Sequence, residues 1–205
     1  MESHGEGEMR NAADLRVRLG PRSIVLIGMP GSGKSSVGRR LAAKLGLTFV
    51  DADAKIEEAA GGMSIADIFA THGEPYFRAG EAKVIARILE SGRQVLATGG
   101  GAFMNPQTRA QIRARGISVW LKADFGVLLR RIKRKDERPL FKSGDYEGTL
   151  RRLLAEREPV FAEADIVVAS QDGPHEISVD AIIAELERRL GAAHAAAPAA
   201  KEARP

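Results

Sequence analysis

The chain contains no cysteine among its 205 residues. This absence excludes disulfide bonds, zinc sites built on thiolates and a cysteine nucleophile. Histidine is also scarce, and the four that occur, His4, His72, His175 and His194, are too scattered to form a metal cluster. Any bound metal is therefore expected to be held by oxygen atoms.

Long apolar runs are missing as well. No segment approaches the roughly 18 consecutive apolar residues that a membrane-spanning helix needs, and the opening MESHGEGEMR lacks the basic and then apolar order of a secretory signal. We therefore expect no membrane partner and a cytoplasmic location. With 44% hydrophobic and 28% charged residues, the composition is typical of one globular domain. We expect that domain to be a monomer.

Aromatic residues make up only 5% of the chain, and their distribution bears on the meaning of the net charge of +4. An excess of basic residues suits either nucleic acid or small anionic substrates. The densest basic run, residues 130–138, contains no aromatic residue on which a base could stack, and it leads into Pro139. We therefore expect no nucleic-acid partner and interpret the run as part of a loop that faces phosphates.

Short apolar segments alternate with helical patterns along the middle of the chain. The apolar segments predict five strands, at residues 23–27, 48–51, 95–98, 117–121 and 166–168. Between them, apolar residues recur with helical spacing. Such alternation predicts a three-layer α/β/α fold with a five-stranded parallel sheet.

The remaining segments define the expected limits of the domain. Residues 1–20 and 191–205 are polar or low in complexity and are predicted to be disordered tails on a domain that covers residues 21–190. Gly191 is typical of a helix end. Residues 133–146 are charged and rich in turn formers, which predicts a long functional loop that serves as a mobile lid.

The strongest motif is GMPGSGKS at residues 28–35, which matches G-x-x-x-x-G-K-[ST] directly after a predicted strand and at the start of an amphipathic helix. Glycines let backbone N–H groups converge on phosphate oxygens, and the helix N-terminus adds positive potential. Lys34 can then reach the β- and γ-phosphates, and Ser35 can bind Mg²⁺. An ordinary glycine-rich turn is the alternative, against which the adjoining strand and helix argue.

Two acidic residues and a run of glycines follow the next two predicted strands. Strand alternation points Asp51 and Asp53 to the same side, at the sheet edge where open α/β sheets bind ligands. Such a pair suits Mg²⁺ coordination, direct or through water, and orientation of an acceptor hydroxyl, although a surface turn is the alternative. Residues 98–102, TGGGA, allow close approach of backbone to a ligand, but a flexible turn is an equal explanation.

Three arginines are further candidates. Arg78 and Arg157 each lie in a helical pattern, where a solvated side chain is the simpler reading. Arg138 lies in the predicted lid beside Pro139, so that it can swing onto a transferring phosphate as an arginine finger.

The combination of these motifs is more specific than any one of them. The P-loop, Asp-Ala-Asp, SIADIFATHGEPYFRAGE at residues 64–81, Gly-Gly-Gly-Ala, Arg-Pro-Leu and Arg-Glu-Pro-Val-Phe occur in the order and spacing of the shikimate kinases. Over about residues 22–190 the chain resembles that family. The resemblance implies a nucleoside-monophosphate-kinase-like fold with strand order 2-3-1-4-5. It also implies transfer of the ATP γ-phosphoryl group to the 3-hydroxyl of shikimate, in the chorismate pathway to aromatic amino acids.

The resemblance further implies roles for individual positions, with ATP and shikimate as the ligands and one Mg²⁺ per ATP as the cofactor. The implied catalytic residues are Lys34, Asp53 and Arg138. The implied ATP-binding residues are Gly31, Ser32, Gly33, Lys34, Ser35, Ser36, Arg131, Arg138 and Pro174, of which Arg131 and Pro174 would flank the adenine. The implied shikimate-binding residues are Asp53, Arg78, Gly99, Gly100, Gly101 and Arg157. The implied metal ligands are Ser35 and, through water, Asp51.

The chain departs from the family pattern at two further positions. Phe161 stands where tyrosine is usual, and Ser36 where threonine is frequent, but neither change removes a catalytic group. Other functions on the same scaffold stay open from the residues alone. These are a gluconate or nucleotide kinase and, from a different class, a non-catalytic P-loop switch or nucleic-acid-binding module.

Overall fold

A computed structural model of the protein describes residues 3–134 and 145–196, with side chains over residues 11–134 and 145–192. Most of the predicted lid, including Arg138, lies outside the described residues. The same holds for residues 197–205, the distal part of the predicted C-terminal tail.

Strands and helices alternate along the described chain. The strands are β1 (Ser23–Ile27), β2 (Thr48–Asp51), β3 (Gln94–Ala97), β4 (Gly116–Lys122) and β5 (Ile166–Ala169). The helices are α1 (Ser3–Leu19), α2 (Lys34–Leu45), α3 (Ala52–Ala59), α4 (Ile65–Glu90), α5 (Pro106–Arg115), α6 (Phe125–Lys133), α7 (Tyr146–Phe161) and α8 (His175–Ala196), with a 3₁₀ turn at Ala102–Met104. Within residues 3–134 and 145–196, none of the helices combines the length and apolarity of a membrane span.

The strands form one parallel sheet in the order β2-β3-β1-β4-β5, which confirms the predicted order. β1 lies at its centre, where Leu26 is in register with Ala97 of β3 and with Val119 of β4. Every residue of β1 is buried, as expected for a parallel strand covered by helices on both faces. The chain that leaves β1 therefore emerges at the middle of the sheet edge.

Each face of the sheet carries its own apolar core. On one face, Phe161 lies between Trp120 and Phe103, with ring centroids 5.8 and 6.5 Å away. Phe161 is 1% exposed, so this position is filled by an apolar ring in an aromatic cluster. The other face is covered by α1, α2 and α8, whose apolar side chains form a second continuous core.

Helix α4 is interrupted in a way that matters for the site. It begins at an N-cap in which the Ser64 hydroxyl accepts the Asp67 N–H at 3.1 Å. Gly73 then has φ of 80°, which breaks the helix just before Pro75. The two halves of α4 can therefore present side chains to the sheet edge at different angles.

The structure of the N-terminal segment differs from the one predicted from the sequence. Residues 1–20 were expected to be a disordered tail, but most of them form α1, in which Leu15 and Leu19 are 3% and 1% exposed against the α2–α8 core. The Arg93 guanidinium also donates to the Gly20 carbonyl at 3.2 Å, which anchors the end of the helix. The apolar stripe of α1 is narrow, and it packs against α8 at the other end of the sequence. Local hydrophobic periodicity therefore does not reveal that α1 packs on the domain.

The C-terminal limit also differs from the prediction. Helix α8 continues through Gly191 to Ala196 instead of stopping at the glycine. A glycine ends a helix when it adopts the left-handed conformation, and Gly191 does not have a positive φ.

We predict that Leu15→Ala lowers the free energy of unfolding by about 2 to 4 kcal/mol, because it leaves a cavity in the core beneath α1. The matched control is Val17→Ala on the same helix, where the side chain is 77% exposed and a change within about 0.5 kcal/mol is expected. Urea unfolding measures both. Similar small effects in the two variants would show that α1 does not pack against the domain in solution.

Candidate active site

The glycine-rich loop after β1 is shaped by close backbone contacts. A Cβ on Gly28 would lie 2.8 Å from the Leu121 carbonyl oxygen, and its φ of 140° is one that side chains rarely adopt. Gly33, with φ of 93°, is the N-cap of α2 and supplies no side chain to that helix end. The first N–H groups of α2 are therefore left for a ligand, which makes this helix terminus an anion site.

Lys34 folds back over this loop. Its Nζ donates to the carbonyl oxygens of Gly28 at 2.8 Å and Met29 at 2.9 Å, and the residue is buried. The loop's own carbonyls thus hold an ammonium group beside the helix terminus. The N-terminus of α2, which is fixed, and the Lys34 ammonium group, which is flexible, therefore both direct positive potential into the space beside the loop.

The acidic pair after β2 does not lie on one strand face as predicted, because β2 ends at Asp51 and α3 begins at the next residue. Asp51 caps α3 by accepting the Asp53 N–H at 3.1 Å, and its other oxygen accepts the Ser35 hydroxyl at 2.8 Å. Both carboxyl groups still line the cavity, with Asp53 in the first turn of α3. The cap turn, not strand alternation, brings them to the same side.

The charge of Asp53 is opposed by its surroundings. Burial raises the pKa of its carboxyl above the ordinary value, and the neighbouring Asp51 carboxylate raises it further. Lys34 and Arg78 act in the opposite direction but do not prevail. As a residue Asp53 is still open to the cavity, so solvent screens part of this cost.

A partly buried ion pair lies on the second half of α4. The Arg78 guanidinium donates to Glu81 Oε2 at 2.7 Å and to Glu74 Oε1 at 3.2 Å, and it lies 5.0 Å from the Phe77 ring centroid. Glu81 is only 2% exposed, and burial raises its pKa despite the nearby guanidinium. Its Oε1 atom is buried with no hydrogen-bond partner in the described structure. The ion pair with Glu81 fixes the position of Arg78, while Glu81 Oε1 remains an acceptor without a donor next to the cavity.

The glycines after β3 are required because neighbouring atoms lie too close for a side chain, and not because the backbone angles are unusual. None of the three has a positive φ. An added Cβ would lie 2.7 Å from Glu81 Oε1 at Gly99, 2.7 Å from Pro30 Cδ at Gly100 and 2.6 Å from Arg78 Nη2 at Gly101. This loop is therefore packed between the P-loop and α4, which argues against the flexible turn considered from the sequence.

Arg157 on α7 lies behind the same loop and is not the solvated helix residue considered from the sequence. It is 7% exposed, and its Nη1 donates to the Gly100 carbonyl at 2.8 Å. Burial lowers its pKa, and the nearby Arg78 charge lowers it further. The side chain supports the glycine loop and is not part of the cavity wall itself.

The other end of the cavity is bounded by α6 and the start of α8. Arg131 donates to the Gln171 carbonyl at 2.8 Å and to the Gly31 carbonyl at 3.3 Å, which places it beside the P-loop. Pro174 is exposed and does not line the cavity. His175, which the sequence reasoning did not select, lines it instead, because α8 begins at this residue.

One cavity of about 600 Å³ joins these parts. Of the predicted residues it is lined by Gly31, Gly33, Lys34, Ser35, Ser36, Asp51, Asp53, Arg78, Gly99, Gly100, Gly101 and Arg131. Ser32 is buried beneath the loop. Lining residues that sequence reasoning did not assign are Pro30, Ile65, Phe69, Phe77, Glu81, Thr98, Arg134 and His175. The spacing of Ile65, Phe69 and Phe77 in steps of four and eight residues is the signal that could have found the apolar wall.

Comparison with known proteins agrees with this geometry. A sequence profile described as shikimate kinase matches residues 30–187. The chain belongs to the shikimate kinase family. Membership in this family makes it an ATP-dependent kinase that acts on a small molecule.

Individual members of the shikimate kinase family are similar over nearly their whole length. The shikimate kinase of Rhodopseudomonas palustris is 56% identical over 187 residues, which cover 91% of this chain and 92% of the relative. That of Bradyrhizobium diazoefficiens is 56% identical over 92% of this chain and 90% of its own. The structure of shikimate kinase from Acinetobacter baumannii in complex with shikimate has a TM-score of 0.79 and 34% identity, covering 87% of this chain and 98% of that one.

We predict that Gly100→Ala destabilises the enzyme by about 1 to 3 kcal/mol and lowers its activity, because the new methyl group must push the P-loop proline away. Gly126→Ala is the matched control, since a Cβ at that helical glycine meets nothing within 4 Å. That variant should be neutral or up to about 1 kcal/mol more stable. Thermal unfolding compares the two, and equal stability would contradict the close contact at Gly100.

Proposed function

We propose that this chain transfers the γ-phosphoryl group of ATP to the 3-hydroxyl group of shikimate, which yields shikimate 3-phosphate and ADP. The observation that carries the proposal is a single cavity with two unlike ends. One end is a P-loop with its lysine, and the other combines a carboxyl group, a fixed guanidinium and a packed glycine backbone. The second end suits a small molecule that bears both hydroxyl groups and a carboxylate.

The P-loop end is proposed to hold the phosphates. Backbone N–H groups at the start of α2 converge on the phosphate oxygens, and Ser32, whose N–H donates to the Met29 carbonyl at 3.1 Å, would exchange that bond for one to phosphate. Lys34 exchanges the loop carbonyls for β- and γ-phosphate oxygens when nucleotide binds. Arg131 lies next to this site, where its charge supports the nucleotide.

The donor set beside the P-loop fits Mg²⁺. Ser35 Oγ and the Asp51 carboxylate are hard oxygen donors already in contact with each other, and Mg²⁺ in kinases takes few protein ligands besides phosphate and water. We propose Ser35 as a direct ligand and Asp51 as a ligand through water. When bound, the ion neutralises charge on the phosphate oxygens.

At the acceptor end, Asp53 is proposed to orient the attacking hydroxyl and to accept its proton as the bond to phosphorus forms. A carboxylate whose pKa is raised is a better proton acceptor than an ordinary one. Glu81 holds Arg78 at the cavity wall, and Arg78 and Arg157 together supply positive charge for the acceptor's carboxylate. The Arg78 guanidinium offers five N–H donors, so the bonds that it already makes leave donors for a ligand, and Arg157 adds positive charge from behind the glycine loop.

The reaction is proposed to proceed by in-line attack on the γ-phosphorus. Charge then spreads over the equatorial oxygens, which Lys34 and the start of α2 stabilise. Arg138 remains our proposal for a further cation brought by the lid, which would also exclude water and so prevent wasteful hydrolysis. All of these residues come from one chain, and we propose a monomeric enzyme, which analytical ultracentrifugation can check.

The experiment that tests the function is a coupled measurement of ADP release from ATP with shikimate, with gluconate, with nucleoside monophosphates and without acceptor. Release that depends on shikimate alone supports the proposal. Dependence on another acceptor would transfer the assignment to a different kinase on this fold.

We predict that Asp53→Asn lowers kcat by about 10² or more, because it removes the group that orients and deprotonates the hydroxyl. The same variant should not lose stability. A carboxyl with a raised folded-state pKa stabilises the protein only at low pH, and this contribution is lost as pH rises through that pKa. At neutral pH the free energy of unfolding of the Asp53→Asn variant should therefore equal that of the wild type, or be higher by less than about 1 kcal/mol after allowance for screening.

This difference in stability should vanish at pH values below the ordinary range for aspartate, where the wild-type carboxyl is also neutral. Asp180→Asn, at an exposed position on α8, is the matched control and should leave kcat unchanged. Parallel kinetics and urea unfolding across pH measure both properties. An unaltered kcat would remove Asp53 from the mechanism.

We predict that Arg157→Lys lowers kcat/KM for shikimate by roughly 30-fold, because Arg157 holds the Gly100 carbonyl behind the acceptor end and a lysine ammonium cannot replace the planar guanidinium there. The KM for ATP should change by less than about threefold, since the P-loop holds the nucleotide. Arg152→Lys on the same helix, where the exposed side chain pairs with Glu156 at 3.0 Å, is the control. Equal weakening of both substrates would contradict a role on the acceptor side.

A further inference from the structure

Arg109 lies on α5, outside the cavity wall, with a side chain that is 16% exposed. Its Nη1 atom donates to two successive carbonyl oxygens, that of Phe103 at 2.9 Å and that of Met104 at 3.0 Å. These carbonyls end the 3₁₀ turn Ala102–Met104, and the last carbonyls of a helical turn have no N–H donor within it. One guanidinium nitrogen therefore caps the end of this turn.

The capped turn is continuous with the glycine loop, residues 99–101. Gly101 is the N-cap of the turn, and its carbonyl accepts the Met104 N–H at 3.0 Å. The Gly99 carbonyl accepts the Ala102 N–H at 3.2 Å. Turn and loop thus form one hydrogen-bonded unit, so a contact that fixes the far end of the turn also limits the position of the loop.

A second contact joins the same guanidinium to the chain that leaves α7. Arg109 Nε lies 3.4 Å from Glu163 Oε2, and Arg113, about one turn further along α5, donates from Nη2 to the same oxygen at 2.6 Å. The Glu163 side chain is 40% exposed, so solvent screens both ion pairs and each contributes little. The partly buried contacts with the two carbonyls are consequently the ones expected to hold the turn.

The glycine loop is therefore held by arginines from two helices. Arg157 of α7 donates to the Gly100 carbonyl at 2.8 Å, within the loop, and Arg109 of α5 holds the turn that follows it. The loop also touches the guanidinium of the acceptor end, since a Cβ on Gly101 would lie 2.6 Å from Arg78 Nη2. Because the loop is closely packed, a shift of the turn must change the distance between the loop backbone and a bound acceptor.

We propose that Arg109 is a positioning residue for the acceptor end of the active site. It acts by holding the 3₁₀ turn, and through it the glycine loop, at the distance from which the loop backbone can bind the acceptor. The inference rests on the proposed transfer to shikimate and deepens it, since it assigns to Arg109 a share of acceptor binding but none of nucleotide binding.

The first test compares Arg109→Met with the wild type in steady-state kinetics. Methionine keeps an unbranched apolar stem but removes every donor. We expect the KM for shikimate to rise about tenfold and the KM for ATP to change by less than about twofold, because a displacement below about 1 Å is enough for such an effect. A purely structural role would lower kcat through loss of folded enzyme and leave both KM values unchanged. An unchanged KM for shikimate, or equal increases for both substrates, would overturn the proposal.

Two controls separate the carbonyl contacts from the ion pairs. Arg113→Met makes the same change at a side chain that is 58% exposed and whose hydrogen bond goes to Glu163. Glu163→Gln removes the ion pairs but leaves the carbonyl contacts of Arg109. Both variants should keep the KM for shikimate within about twofold of the wild type, since the pairs are screened. A tenfold increase in either would assign the effect to the ion pairs and overturn the proposal.

Amide hydrogen exchange tests the same contacts without any substrate. In Arg109→Met the amides of Ala102 and Met104 should exchange about tenfold faster, because fewer contacts oppose local opening of the turn. Those of the P-loop, residues 28–33, should change by less than about twofold, because Arg109 holds the turn and not the P-loop. Unchanged exchange at the turn would overturn the proposal.

The exchange measurement also separates this inference from the proposed function. A wild type without shikimate-dependent ADP release would refute the function, while the exchange rates would still decide whether Arg109 holds the loop. Thermal unfolding establishes that each variant is folded at the assay temperature. Should Arg109→Met fail to fold, Arg109→Gln is measured in its place under the same criteria.

Discussion

The central position of β1 in a parallel sheet is the constraint on which the rest of the molecule depends. Because parallel strands end at a common edge, the loops after β1, β2 and β3 meet there, although they are far apart in sequence. The P-loop follows β1, the capping carboxylate Asp51 ends β2, and the glycine loop follows β3. Helices on both faces bury β1 completely, so the edge is held by the core and not by the loops themselves. The site can therefore be made of groups that repel one another.

Those repulsions are evident in the charges around the cavity. Burial and a neighbouring carboxylate oppose the charge of Asp53, and burial opposes that of Glu81 despite its ion pair. Arg157 is buried within reach of a second guanidinium that lowers its pKa. For each of these groups the charged form is less favourable than it would be in water. This pattern is expected where binding and catalysis, not stability, determine the residues. An anionic ligand group would offset the repulsion between the Arg78 and Arg157 guanidinium groups, but not that between the Asp51 and Asp53 carboxylates.

Packing gives this arrangement its rigidity. A Cβ at any of residues 99–101 would lie within 2.7 Å of a neighbouring atom, and at Gly100 that atom belongs to the ring of the P-loop proline, which cannot turn aside as the side chains of Glu81 and Arg78 can. Arg157 supports the loop from behind through the Gly100 carbonyl. The nucleotide and acceptor ends of the cavity are consequently in direct contact through Pro30 and Gly100, and a displacement at one end must be felt at the other.

The sequence by itself determined the five strands, their alternation with helices, the P-loop and, through the combined motifs, the family and the strand order. These features are local, or are recognised as a pattern of local features at fixed spacing. Tertiary structure alone decided that α1 packs, that Arg157 and Glu81 are buried, that the triple glycine is a contact surface and that His175, not Pro174, lines the cavity. Each of these depends on a partner distant in sequence, as Leu15 depends on α8 and Gly100 on Pro30. Periodicity reports which face of an element is apolar, but only the assembled chain determines what that face meets.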